Sequence, residues 1–140
     1  DGFDLAQRLN RVHWRGLWPV VRRIPNWATF PWGVVDAFRE LDIHARWHVF
    51  KSKDWLLEQL NDDVVVITLT GGYLPLWAHM MVLLAYDDER GYGFGNPAIP
   101  KAQLHWLPAA KFEREWRAYG RMAVVVSGAQ FNLPATQETR

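Results

Sequence analysis

The order of elements legible in this 140-residue chain predicts an α+β domain built around an antiparallel sheet. Two observations carry that prediction. Helical segments cluster early in the chain, ahead of most of the strands. A strand, a tight polar turn and a return strand then follow within 20 residues, which marks a late hairpin and not a parallel crossover.

The elements follow in order. Phe3, Leu5, Ala6 and Leu9 share a face, so residues 3–11 predict a short helix. The stretch from His13 to Trp27 is irregular and locally basic, with Arg11, Arg15, Arg22 and Arg23 and no acid between the first and last of them. Thr29-Phe30-Pro31 predicts a helix start with Thr29 as N-cap. Val34, Val35, Phe38 and Leu41 then carry the helix to about Asp42. Ala45 to Phe50 alternates as a strand does. Ser52 is placed to cap a helix with Asp54 in its first turn, running to Leu60. Asn61-Asp62-Asp63 is a turn before the β-branched run Val64–Thr70, which Gly71-Gly72 is expected to end.

His79 to Tyr86 reads as a second buried strand, Asp87 to Gly91 as a turn, and Tyr92 to Gly95 as the return strand stopped by Asn96-Pro97. Phe112 and Trp116 form an i, i+4 pair on a helix from about Pro108 to Tyr119. Arg121 to Ser127 is a last strand. Residues 1–128 thus form one domain, and 129–140 a polar C-terminal tail.

Composition narrows the functional classes. The formal charge of +1 offers no global attraction for nucleic acid, and none is expected as a partner. No apolar run is long enough for a membrane span. The absence of cysteine excludes disulfides, thiolate metal sites and a thiol nucleophile in the chain as given. His44 and His48 straddle a turn-to-strand junction and are read as surface or edge residues, not a metal pair. His105 has no second ligand nearby, and Asp87-Asp88-Glu89 lacks a calcium-loop pattern. No cofactor and no metal are expected. Nine tryptophans are many for a core of this size, so some should face a partner. Arg11, Trp14, Arg15, Trp18, Arg22 and Arg23 are the expected contact residues, suited to a protein or peptide partner or to a membrane surface.

One constellation has catalytic potential. His79 opens one strand of the late hairpin and Asn96 closes the other, so the two ends should lie side by side. An amide there can orient an imidazole for general-base work. The same placement also suits a histidine that merely tops a strand and an asparagine that caps a turn before Pro97.

Several segments together resemble the bacteriocin-processing cysteine peptidases, the papain-like double-glycine leader peptidases. They are Leu5-Ala6-Gln7-Arg8-Leu9, Thr29-Phe30-Pro31 with Ala37 to Leu41, and Asp54-Trp55-Leu56 with Leu60. His79 with Tyr86-Asp87-Asp88, Asn96-Pro97, and Phe112 with Trp116 complete the set. The resemblance implies a papain-like α+β fold with His79 as base and Asn96 as its orienting partner. It also marks a departure. That family carries its nucleophile on a Gln-x5-Cys-Gly segment at the start of its first helix, and this chain has no counterpart.

The expected function is therefore a non-catalytic, peptide-binding or structural subunit of a larger bacterial assembly, with the cellular compartment open. The alternatives are the post-nucleophile portion of an active cysteine peptidase, or a membrane-associated accessory protein using the Trp/Arg loop. A missing first helix would bare about 400 Å² of apolar surface, roughly 10 kcal/mol. The gap would be lined by Val34, Phe38, Val66, Met80 and Val82. On that reading the chain is not a free monomer.

Overall fold

The computed structural model describes residues 7–11, 13–24, 28–61, 63–73, 76–95 and 104–127. Its strands are β1 (His13–Arg15), β2 (Trp18–Val20), β3 (Arg23–Ile24), β4 (Ala28–Thr29), β5 (His44–His48), β6 (Val64–Tyr73), β7 (Leu76–Asp87), β8 (Gly91–Gly95), β9 (His105–Leu107) and β10 (Ala123–Ser127). Helices α1 (Pro31–Arg39), α2 (Lys53–Glu58) and α3 (Ala109–Ala118) lie between them. Residues 7–9 are also helical, the described part of the first helix expected from the sequence.

The main sheet has six strands in the order β5-β10-β6-β7-β8-β9, and every pairing is antiparallel. Its centre is the long β6–β7 hairpin, in register from Val66 opposite Leu83 to Tyr73 opposite Leu76. The β-branched run of β6 suits this central position, where both faces of the strand are covered or half-covered.

Directly paired residues share a face, so the register sorts the side chains. Val66, Thr68, Met81 and Leu83 fall on one face. There Val66, Met81 and Leu83 pack with Leu56 of α2, Phe112 and Trp116 of α3, and Tyr92 and Phe94 of β8 in the larger core. Phe112 stacks on Trp116 at 5.6 Å between ring centroids, which realises the i, i+4 pair expected from the sequence. On the opposite face α1 covers β5 and β10. Val35, Ala45, Val124 and Val126 form a second core there, flanked by Val34, Phe38, Ile43, Val65 and Ile67.

Local signals explain several element ends. Ser52 caps α2 as expected, its hydroxyl accepting from the Trp55 amide at 3.1 Å, with Asp54 in the first turn. Asn61 Oδ1 accepts from the Asp63 amide at 3.2 Å, the turn that opens β6. Helix α1 starts one residue later than expected. Its N-cap is Phe30, in extended conformation and without a side-chain cap, whereas Thr29 belongs to β4 opposite Arg23. The reason is Pro31 at the first helical position, which forces the preceding residue to be extended.

Four further expectations are corrected. The stretch expected to be irregular contains two small ribbons, β1–β2 and β3–β4. His44 and His48 both lie on β5, at its two ends, so the strand begins at His44 and no turn-to-strand junction separates them. Four residues of extended chain separate them by roughly 13 Å, too far to share a metal. Strand β9 was not foreseen. It is three residues long, and its place is set by pairing with β8 and by Arg90 stacking over Trp106 at 4.0 Å. Finally, Gly71-Gly72 does not end β6, which continues to Tyr73.

Candidate functional site

The late hairpin places the chemistry. His79 is the fourth residue of β7, not its first, and is half-buried opposite Thr70. The Thr70 hydroxyl donates to the His79 carbonyl at 3.3 Å, which ties the backbone of this segment to β6. By register His79 shares its face with Thr70 and Met81, and Trp77, exposed, lies on the same face two residues away.

Gly71 has a different role from the strand terminator expected. A Cβ on it would come within 2.1 Å of the Trp77 carbonyl oxygen and 2.5 Å of the Tyr119 ring. Tyr119 follows α3, and its hydroxyl donates to the Trp77 carbonyl at 2.8 Å and is also within 3.4 Å of the Gly72 carbonyl. The glycine thus leaves room for a ring that pins the His79 end of the hairpin to the end of α3. Sequence reasoning missed this contact, because the two residues are 48 positions apart and nothing local marks either one.

Asn96 lies outside the described residues, and its expected pairing with His79 lies outside them too. The last described residue of β8, Gly95, stands opposite Val82, three positions along β7 from His79.

Tyr86 and its neighbours serve the fold. The Lys53 ammonium donates to the Tyr86 hydroxyl at 2.8 Å, and that hydrogen bond is the main reason the Lys53 pKa is raised. The Tyr92 hydroxyl donates to Glu113 Oε1 at 3.2 Å. Burial first, and the Glu113 carboxylate second, push the Tyr92 phenol above its ordinary value, so it stays protonated. Asp87 accepts from the amides of Glu89 (3.0 Å) and Arg90 (2.8 Å). The Arg90 amide is the chief cause of its lowered pKa, as a solvated turn requires. Among the described residues no three His, Asp or Glu side chains converge as metal ligands do.

The five residues expected to line one gap do not lie on one surface. Val34 and Phe38 pack on the α1 face. Met80 and Val82, opposite Leu69 and Ile67, belong to that face as well. Val66 is fully buried on the other face, in the larger core. The strand parity assigned to β6 from sequence was one residue out, and a one-residue slip exchanges every side chain between faces. Leu69, Met80, Val82 and Leu84 form a partly uncovered stripe on the α1 side, with Leu84 54% exposed. His79 lies on the opposite face of the hairpin.

The expected contact residues divide. Trp14, Trp18 and Arg11 are exposed, as a contact surface requires, and Arg23 is half-buried. The Arg15 side chain falls outside the described set. Arg22 is the exception: only 5% exposed, it lies inside the fold. Its Nη1 donates to Glu40 Oε1 at 2.5 Å and its Nη2 to the Arg8 carbonyl at 2.8 Å. One arginine thus joins the helical turn at residues 7–9 to the end of α1, so it anchors the N-terminal region and is not a contact residue.

Comparison with known proteins places this fold. No family model and no curated protein matches the sequence. Among solved structures, a crystal structure of a putative C39-like peptidase from Bacillus anthracis superposes with a TM-score of 0.65 at 17% identity. The match covers 91% of this chain and 80% of that one. The chain therefore has a mixed α/β fold with an antiparallel sheet, similar to that of a C39-like peptidase.

Proposed function

We propose that this chain is a non-catalytic, papain-like domain of the leader-peptidase type that binds a peptide at the His79 end of the β6–β7 hairpin. The observation that carries this reading is a half-buried His79 beside an exposed Trp77, in a fold like that of a C39-like peptidase, in a chain without cysteine. Acyl transfer of the papain kind needs a thiolate, and none is supplied here. Peptide contacts need only shape, an aromatic platform and hydrogen-bonding backbone, and these survive loss of the thiol. Asn96 is proposed as the orienting neighbour of His79, in line with the motif resemblance. The stripe of Leu69, Met80, Val82 and Leu84, partly uncovered among the described residues, favours a second polypeptide lying on the α1 side of the sheet.

The test uses purified chain and fluorescent peptides ending in a double-glycine leader motif. Saturable binding without turnover is expected, with Trp77→Ala and His79→Ala each weakening it about tenfold, the loss of one good contact of about 1.4 kcal/mol. Cleavage that disappears in His79→Ala overturns the non-catalytic reading, and absence of binding overturns the peptide reading. For the partner, a concentration-independent thermal transition from a chromatographic monomer refutes an obligate second polypeptide.

A further inference from the structure

The β1–β2 hairpin has a chemistry that the peptide-binding reading does not use. Arg15 pairs with Trp18, so Gly16 and Leu17 form a two-residue loop. Gly16 has φ +62°, the geometry of a hairpin turn with glycine at its first central position. Nothing lies within 4 Å of where its Cβ would be, so the turn projects into open space.

The projection is apolar. Leu17 at the tip is 90% exposed, Trp18 77% and Trp14 62%. The register puts Trp14 with Pro19 on one face of the ribbon and Trp18 on the other. Among the described residues neither Trp-bearing face is covered.

The local sequence carries charge of one sign. No acid occurs between Asp4 and Asp36, a span that carries Arg8, Arg11, Arg15, Arg22 and Arg23. Glu40 pairs with Arg22, and both Arg8 and Arg11 are exposed.

We propose that this hairpin inserts into the surface of an anionic lipid bilayer. An apolar tip with a tryptophan on each face is a wedge. A folded partner covers one face of a ribbon unless it offers a slot, whereas lipid surrounds an inserted tip on every side. Three residues of strand reach about 10 Å, the depth at which interfacial segments sit below the headgroups. Tryptophan suits that boundary because its ring is apolar and its N–H polar. Arginines behind the wedge meet the headgroup charge, and each raises binding roughly fivefold near an anionic surface. This inference stands whether or not the chain binds peptides.

The experiment is sedimentation of the full chain with vesicles of phosphatidylcholine alone and of phosphatidylcholine mixed in equal parts with phosphatidylglycerol. Binding to the mixed vesicles is expected, at least tenfold weaker on the neutral ones and weaker again as salt is raised. The double substitution Leu17→Ser/Trp18→Ser should abolish it with an unchanged circular-dichroism spectrum, since both side chains are exposed. Arg11→Glu should weaken it about tenfold and flatten the salt dependence. Binding that is absent, equal on both vesicles, or indifferent to Leu17→Ser/Trp18→Ser overturns the proposal. So does a result in which that double variant only dissolves a self-association and leaves lipid binding intact.

Discussion

Replacing Arg22 by alanine should cost about 3 kcal/mol of stability, and the reasoning rests on how that side chain is satisfied. It is 5% exposed and makes two charge-assisted hydrogen bonds, to Glu40 Oε1 at 2.5 Å and to the Arg8 carbonyl at 2.8 Å. Such bonds contribute about 1.5–3 kcal/mol each. The Glu40 carboxylate is 38% exposed, so the ion pair is partly screened and the lower end applies to it. Glu40→Gln keeps an acceptor and should cost about 1 kcal/mol. Arg22→Met is the informative control. It keeps the apolar stem and removes a buried Nε–H that has no partner, and buried charges replaced by well-packed apolar groups often cost little. It should fall between the other two. The assay is urea unfolding followed by far-UV circular dichroism. With a slope of about 2 kcal/mol/M, Arg22→Ala lowers the midpoint by roughly 1.5 M at unchanged slope. A loss below about 0.5 kcal/mol, the range of an ordinary surface substitution, would refute the anchoring role and return Arg22 to the set of contact residues.

Three further outcomes are expected. Gly71→Ala should destabilise by about 3 kcal/mol or more, because its methyl meets backbone oxygen and the Tyr119 ring. Gly16→Ala, strained only through its positive φ, should cost about 1 kcal/mol; equal losses in a thermal melt would contradict the packing argument. Phe112→Ala should cost about 3–5 kcal/mol as a fully buried ring, while Trp47→Ala, on a half-exposed edge, should cost far less. The His48 pKa is lowered, chiefly by burial and then by Lys51 and Arg46. The unfolded chain therefore binds this proton first as pH falls below about 6.5, and stability declines from there down to the lower folded value. His48→Gln should flatten that part of the stability profile, and an unaltered slope would exclude His48 as its source.

Five of the six strands of the antiparallel sheet were legible because their signals are local. The start of the run at Val64, the turn after Asp87, the capping of α2 by Ser52 and the Phe112–Trp116 pair each lie within one short window, and the chain folds each as read. What the sequence could not show was which face of each strand is inward. Val66 and Met80 are both apolar, both faces of β6 and β7 carry apolar side chains, and alternation then gives no phase. Only the register with β10 and the helices packed above it assigns Val66 to the larger core and Met80 to the partly uncovered stripe.

Chemistry divides along the same line. The absence of a thiol is a property of composition and needs no coordinates. Glycine as a strand end, arginine as a contact residue and histidine as a strand cap are average behaviours of those residue types. Gly71, Arg22 and His79 each depart from the average because of a partner distant in sequence: Tyr119, Glu40 and Thr70. Local pattern decides what a segment can form. A residue's burial and partners depend on which distant segments meet it, and for Arg22 that meant a carboxylate 18 positions away turning an apparent surface charge into an internal anchor.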